Sequence, residues 1–280
     1  MRLQYRLVNV FTREGGRLTG NPLCVFEDAQ GLSDGQMQAL ALQFNLSETT
    51  FIIPSDVADA RVRIFTPSYE MPFAGHPTLG TAHVLQSLKS LGDAVALELN
   101  VGVIPVSAGS GRWELRANAA TARAPRASIP DLAAALGLDA ADVANPALWV
   151  NTGSEQLIVP LVSEDAVRRV RVHYQALVAV TADGPWAQVY VFAPTGPDAL
   201  VSRFFFSKAD SVLEDPATGS ATANLGGWYL AQHAELPLAR AISQGEQTGR
   251  PSTLRLRIDA ERHVFVAGEV LELGCGYVEL

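Results

Sequence analysis

The sequence predicts two copies of one mixed α/β half. Its 280 residues, 48% hydrophobic and 18% charged, are enough for two cores of roughly 100–150 residues each. A set of local signals also recurs in the same order along the chain. Thr19-Gly20 opens TGNPLCVF and Thr152-Gly153 opens TGSEQLIVPL, while Arg63-Ile64-Phe65 precedes GHPTLGTA and Arg203-Phe204-Phe205 precedes EDPATGSA. Aligning Pro77 with Pro216 pairs Gly80 with Gly219, Thr81 with Ser220 and Ala82 with Ala221. Chance similarity of two helix starts is the competing explanation, since Pro near the first helical position is common.

Each element follows from its residues. Tyr5 to Phe11 and Leu23 to Phe26 are apolar strand-like runs separated by the turn Thr19-Gly20-Asn21-Pro22. Ser33 with Gln36 matches a capping box, and Met37, Leu40, Ala41 and Phe44 fall at helical spacing, so Ser33 to Phe44 is expected as an amphipathic helix. Phe51-Ile52-Ile53 and Val62-Arg63-Ile64-Phe65 read as strands, and a helix is expected from His76-Pro77 to about Leu88. Alternation over Val95 to Leu99 and Trp113 to Arg116 predicts half-buried strands. The Ala/Arg/Pro-rich stretch from Ala117 to Asp131 shows neither period and is expected to be the domain linker.

Composition removes whole chemistries. Two cysteines, Cys24 and Cys275, cannot build a four-thiolate zinc site, a CxxC redox motif or a disulfide framework. Only Lys89 and Lys208 could form a Schiff base, and neither context singles out a buried amine. No GxGxxG, Walker A or HExxH motif occurs, so no cofactor and no metal are expected. A formal net charge of −8 with dispersed arginines argues against nucleic acid as a partner. No apolar run approaches the ~20 residues of a membrane span, and a cytoplasmic protein acting on small molecules is expected.

Pro77 and Pro216 place His76 and Asp215 at or beside expected helix N-caps, followed by small residues that let a ligand approach backbone N–H groups. Two such starts facing one another across a cleft would hold a carboxylate. Glu48, between the amphipathic helix and an apolar strand, is the candidate base, because partial burial would raise its pKa toward working pH. Plainer roles fit the same residues: Asp215 as an ordinary cap worth ~1 kcal/mol, Ser220 as a helix-interior hydroxyl, His76 as a capping imidazole and Glu48 as a solvated loop acid. Glu70 and Glu214 lie near the same helix starts and remain open as bases or hydrogen-bond partners.

The stretches VNVFTREGGRLTGNPLCVF, LSETTFI, FTPSYEMPFAGHPTLG, RFFFSKADSVLEDPATGSATANLGGWYL and QGEQTGRPSTLRL together resemble the phenazine-biosynthesis isomerase (PhzF-like) family, which shares the diaminopimelate-epimerase fold. The resemblance implies an α+β fold of two pseudo-symmetric domains, each a curved, mostly antiparallel sheet or barrel around a central helix. The expected domains are residues 1–118, joined by the C-terminal strand at about 270–280, and residues 128–269. It further implies Glu48 as acid/base, with His76, Asp215 and Ser220 completing an active site in the cleft between the domains. Asn21, Gly75, Thr78, Thr218 and Gly219 are expected to bind substrate. Family relatives that are epimerases place a cysteine at each helix start, and neither cysteine of this chain lies there. The expectation is therefore a cofactor-independent isomerase of a small carboxylate-bearing substrate, in a homodimer. An amino acid racemase or epimerase, or a non-catalytic binding or protein-interaction member of the fold, stands as the alternative.

Overall fold

The computed structural model describes all residues 1–280, and the chain divides into two compact units: Met1–Arg116 with Ala267–Leu280, and Ala117–Val266. The stretch expected as a linker is structured. Ala117 starts unit 2, Thr121–Arg123 pairs in its sheet and the capping box of Ser128 with Asp131 opens a helix. Short elements of this kind bury too little apolar surface to show a period, which is why composition alone reads as a linker.

Unit 1 contains β1 (Arg2–Val10), β2 (Asn21–Phe26), α1 (Asp34–Phe44), β3 (Thr49–Ile53), β4 (Ala60–Phe65), β5 (Glu70–Met71), α2 (Gly75–Lys89), β6 (Ala94–Leu99), β7 (Gly102–Gly109) and β8 (Arg112–Arg116). Strand β2 runs antiparallel to β1 and parallel to β3; β4 is antiparallel to β3 and β5 and parallel to β6; β7 lies antiparallel between β6 and β8. The sheet wraps α2, which touches seven of these strands and the C-terminal strand. Its first three turns are buried, and Gly80 lies so close to Leu23, Val10 and Val8 that a Cβ there would meet Leu23 at 2.6 Å. On the other face, α1 seals a cluster of Phe26, Phe51 and Phe65, with Phe26 and Phe51 stacked at 4.9 Å. Such a pair adds about 0.5–1.5 kcal/mol beyond its burial.

Unit 2 contains β9 (Thr121–Arg123), α3 (Ile129–Leu136), β10 (Leu148–Asn151), β11 (Glu155–Pro160), α4 (Glu164–Arg169), α5 (Tyr174–Val180), β12 (Gln188–Pro194), β13 (Ala199–Lys208), β14 (Ser211–Asp215), α6 (Gly219–Ala231), β15 (Leu238–Gln244) and β16 (Ser252–Ile258). After β17 (Val264–Gly268), β18 (Val270–Glu279) returns to unit 1 and pairs antiparallel with β1. The unit repeats the pattern of unit 1: β11 parallel to β12, β12 antiparallel to β13, β13 antiparallel to β14 and parallel to β15, β15 antiparallel to β16. Helix α6 takes the place of α2, and a core around the fully buried Trp149 takes the place of the phenylalanine cluster.

The strand registers fix the repeat residue by residue and correct the sequence alignment. Cys24 pairs with Thr49 and Thr49 with Phe65 in unit 1; Leu157 pairs with Val189 and Val189 with Phe205 in unit 2. Glu70 precedes Gly75, and Glu214 precedes Gly219, by the same five residues, and each glycine is the first residue of its helix. Pro216 therefore matches Pro72 and not Pro77, Gly219 matches Gly75, and Ser220 matches His76. The Pro77 alignment fails because Pro77 sits inside the first turn of α2, whereas Pro216 precedes α6.

Candidate active site

In unit 1 the site is built where α1 ends and β3 begins. Asn45 closes α1 in the left-handed conformation, so the chain turns sharply and delivers Ser47 and Glu48 to the head of β3. Asn21, the buried first residue of β2, accepts a hydrogen bond from the Ser47 hydroxyl at 3.2 Å and so anchors this corner. His76, the second residue of α2 and 6% exposed, brings Nε2 to 3.5 Å from Glu48 Oε2. Glu48 keeps 16% of its side chain exposed, while Oε2 itself is buried and accepts no hydrogen bond. Burial pushes the Glu48 carboxyl up to about 7, opposed by the polar Ser47 side chain beside it. A carboxyl so placed passes between its two protonation states near neutral pH, as a general acid/base requires.

The start of α2 has no side-chain cap, since its N-cap is Ala74, and Gly75 stands at the first helical position. Thr78 is fully buried and donates its hydroxyl to Ala74 O at 2.7 Å, back along its own helix.

In unit 2 the corresponding helix start is held by neutral amides. Asp215 is the last residue of β14, paired with Phe204, and lies three residues ahead of the N-cap Thr218. The expectation that Asp215 sits at the cap is thus corrected: the strand runs through Asp215, and Pro216 opens the turn that follows. The Thr218 hydroxyl donates to Asp215 Oδ2 at 2.5 Å, and Gln244 Nε2 donates to Thr218 Oγ1 at 3.0 Å and to Asp215 O at 2.9 Å. Gly245 adopts φ +84, and a Cβ there would meet Pro216 O at 2.4 Å, so the Gln244-Gly245 turn clasps the loop before α6. Gly219 and Ser220 are the first two residues of α6, and Ser220 Oγ accepts from Gln156 Nε2 at 3.0 Å. Gln156 is held in turn by Asn224, fully buried on α6.

Glu70 and Glu214 are occupied elsewhere. Arg63 grips Glu70 through two bonds of 2.8 and 2.6 Å, and Arg203 grips Glu214 through two of 3.0 and 2.7 Å. The Arg63 guanidinium, with a contribution from Asn100, holds the Glu70 carboxyl below the usual carboxylate range. These pairs are a duplicated structural device, because each arginine also lies over a phenylalanine of its own strand, Phe65 or Phe205.

Thr152, Gln156, Asn224 and Gln244 escaped sequence reasoning. Buried amides carry no motif of their own; the signals present were the repeat that sets Gln156 opposite Leu23 and Asn224 opposite Gly80, a polar pair where unit 1 has an apolar contact. No group of three or more His, Cys, Asp or Glu side chains is arranged to hold a metal ion, and no helix is long and apolar enough to cross a membrane.

Comparison with known proteins identifies the family and the fold. The sequence profile of the PhzC-PhzF family, "Phenazine biosynthesis-like protein", matches residues 8–272. The chain is 39% identical over 279 residues, 97% of its length and 92% of the relative's, to an "Uncharacterized isomerase" of Pasteurella multocida. It is 35% identical over 288 residues, 99% of its length and 98% of the relative's, to the trans-2,3-dihydro-3-hydroxyanthranilate isomerase of Pseudomonas aeruginosa. The crystal structure of a PhzF-family phenazine biosynthesis protein of Bacillus anthracis superposes with a TM-score of 0.89 at 25% identity, covering 100% of both chains. The α+β fold of two sheet-wrapped helices is thus that of the PhzF-like proteins and their racemase and epimerase neighbours. The chain belongs to the phenazine biosynthesis-like (PhzC-PhzF) family and is an isomerase.

Proposed function

We propose that this isomerase moves a proton within a small, conjugated, carboxylate-bearing substrate without a cofactor, using Glu48 as the one general acid/base. The observation that carries the reading is the Glu48 carboxyl: buried at Oε2, pushed up to about 7 and set 3.5 Å from His76 Nε2. Its carboxylate takes a proton from an activated carbon, the electron pair moves into the conjugated system, and the same carboxyl returns the proton to another carbon. His76 and Asp215 position or exchange protons with polar groups of the substrate. Backbone N–H groups around Thr218, Gly219 and Ser220, and those at Gly75 on α2, hold the carboxylate, with Asn21 and Thr78 supporting the corners that carry them.

The register of the repeat gives Glu48 no acidic counterpart at the same position of unit 2. The position matching Glu48 in unit 2 is Gln188, an amide whose Nε2 donates to Glu155 O at 3.1 Å. The substrate proposed is a hydroxylated cyclic amino acid of the kind named for the Pseudomonas aeruginosa relative, trans-2,3-dihydro-3-hydroxyanthranilate. Family likeness also supports a homodimer, which sedimentation velocity measures, and a cytoplasmic location.

The test is turnover of that compound in D₂O with carbon-bound deuterium as readout. Glu48→Gln is expected to keep substrate binding and to lower turnover about 10²–10⁴-fold, the loss typical of a general base. Undiminished turnover in Glu48→Gln would remove Glu48 from the mechanism, and deuterium entry with inversion at a single carbon would replace the isomerisation by an epimerisation.

A further inference from the structure

The side chains of Thr152, Asn224, Gln156 and Ser220 form a chain of hydrogen bonds whose direction is set by backbone groups. Asn224 is fully buried, with Oδ1 2.9 Å from Thr152 N and 2.7 Å from Thr152 Oγ1, and Nδ2 2.8 Å from both Ser154 O and Gln156 Oε1. A backbone N–H can only donate and a backbone carbonyl can only accept. Thr152 N and Ser154 O therefore admit a single orientation of the Asn224 amide. That orientation points an N–H at Gln156, so the atom of Gln156 facing Asn224 is the oxygen and the atom facing Ser220 is the nitrogen. Gln156 Nε2 donates to Ser220 Oγ at 3.0 Å, and no acceptor within the protein takes the Ser220 hydroxyl hydrogen. Ser220 is partly exposed, whereas Gln156 is 3% exposed. The hydroxyl thus faces inward as an acceptor and outward as a donor.

We propose that Asn224 and Gln156 are positioning residues that hold Ser220 as a hydrogen-bond donor to an anionic oxygen of the substrate. This rests on the reading that Ser220 touches substrate. The relay costs the site no reorganisation when a ligand arrives, because a fixed amide has already chosen which way the hydroxyl points. It leaves the Ser220 hydrogen, rather than the lone pair taken by Gln156, to face the substrate.

Gln156→Glu tests the direction of the relay. The introduced carboxylate accepts from Asn224 and from Ser220 alike, so the Ser220 hydrogen turns inward. With trans-2,3-dihydro-3-hydroxyanthranilate at pH 8, Gln156→Glu is expected to lose on the order of 10–100-fold in kcat/KM, about as much as Ser220→Ala, the usual range for one hydrogen bond to a charged group. As pH falls and the introduced carboxyl takes up a proton, it donates to Ser220 again. The ratio of Gln156→Glu to wild-type activity therefore rises, while the ratio for Ser220→Ala stays flat. A flat ratio for Gln156→Glu, or wild-type activity at pH 8, overturns the relay. Full activity of Ser220→Ala instead overturns the reading that Ser220 touches substrate. If Gln156→Glu does not fold, or the wild type does not turn over this compound, ¹⁵N NMR of the side-chain amides decides. Ser220→Ala should shift the Gln156 amide protons upfield and leave those of Asn224 in place, and an unmoved Gln156 amide overturns the relay.

Discussion

Unit 1 and unit 2 run the same strand pairing around one helix, with the same arginine–glutamate clamp ahead of it, and then place different chemistry at the matching positions. Where unit 1 has Glu48, His76, Gly80 and Leu23, unit 2 has Gln188, Ser220, Asn224 and Gln156. The first set pairs Glu48 with His76 at the head of α2 and lays an apolar floor under the helix, where Gly80 is pressed onto Leu23. The second replaces that floor by a satisfied amide network. An apolar floor desolvates a carboxylate and raises its pKa, whereas a network of amides fixes hydrogen-bond direction at constant charge. The duplicated scaffold thus supplies two equivalent helix starts, and the polarity beneath each one differs: apolar under α2, amide-lined under α6.

The arginine clamps give the largest contrast. Arg203 is 6% exposed at its side chain and also donates to the carbonyls of Val167 and Val170, while Arg63 is 15% exposed and shares itself between Glu70 and the exposed Asp34. Arg203→Met should destabilise the protein by about 3–5 kcal/mol in urea unfolding, because it leaves the buried Glu214 carboxylate without its partner. Arg63→Met should cost only ~1 kcal/mol, since water reaches its partners. Equal losses would show that the two clamps are equivalent in solvation as well as in geometry.

Glu48 sharpens the contrast through the sign of its pH dependence. Because its carboxyl titrates at about 7 in the folded protein and near 4.5 when unfolded, the native state binds more protons between those values, and stability falls as pH rises through that window. Glu48→Gln should therefore be more stable than the wild type by roughly 2–3 kcal/mol at pH 8, with the difference vanishing near pH 4. Denaturant midpoints at the two pH values measure this. A Glu48→Gln protein less stable than wild type at pH 8 would mean that the carboxylate stabilises unit 1 and is not desolvated by it.

The smallest effect is a control on which the units should agree. Ser33 caps α1 in unit 1 and Ser128 caps α3 in unit 2, each with a reciprocal capping box. Ser33→Ala and Ser128→Ala should each cost ~1 kcal/mol, read as shifts of the unfolding midpoint at constant slope. A large difference between them would place a stability difference between the units outside their helix starts.

Much of the scaffold was legible in the residues. Helix α1 starts one residue after its expected cap, α2 spans Gly75–Lys89 where His76 to about Leu88 was expected, and Val95–Leu99 and Trp113–Arg116 lie in strands β6 and β8. Periodicity and capping are local, so the chain displays them directly. The repeat was legible as an order of signals but was misaligned at the helices, because Pro77 and Pro216 look alike in sequence and occupy different positions relative to their helix starts. Glu70 and Glu214 could not be separated from Glu48 as acids until the fold brought Arg63 and Arg203 against them.

The sequence by itself determined the duplicated α/β half, the scarcity of thiol and amine chemistry, and the small set of polar residues near two proline-marked helix starts. Each of these follows from composition, spacing or backbone preference over a few residues. Only the tertiary structure decided that Glu48 is the carboxyl raised toward neutrality, that Asp215 stands ahead of its helix bonded to Thr218, and that Ser220 is set by Gln156 and Asn224. Desolvation and hydrogen-bond direction depend on atoms brought together from distant parts of the chain, and no local pattern encodes them.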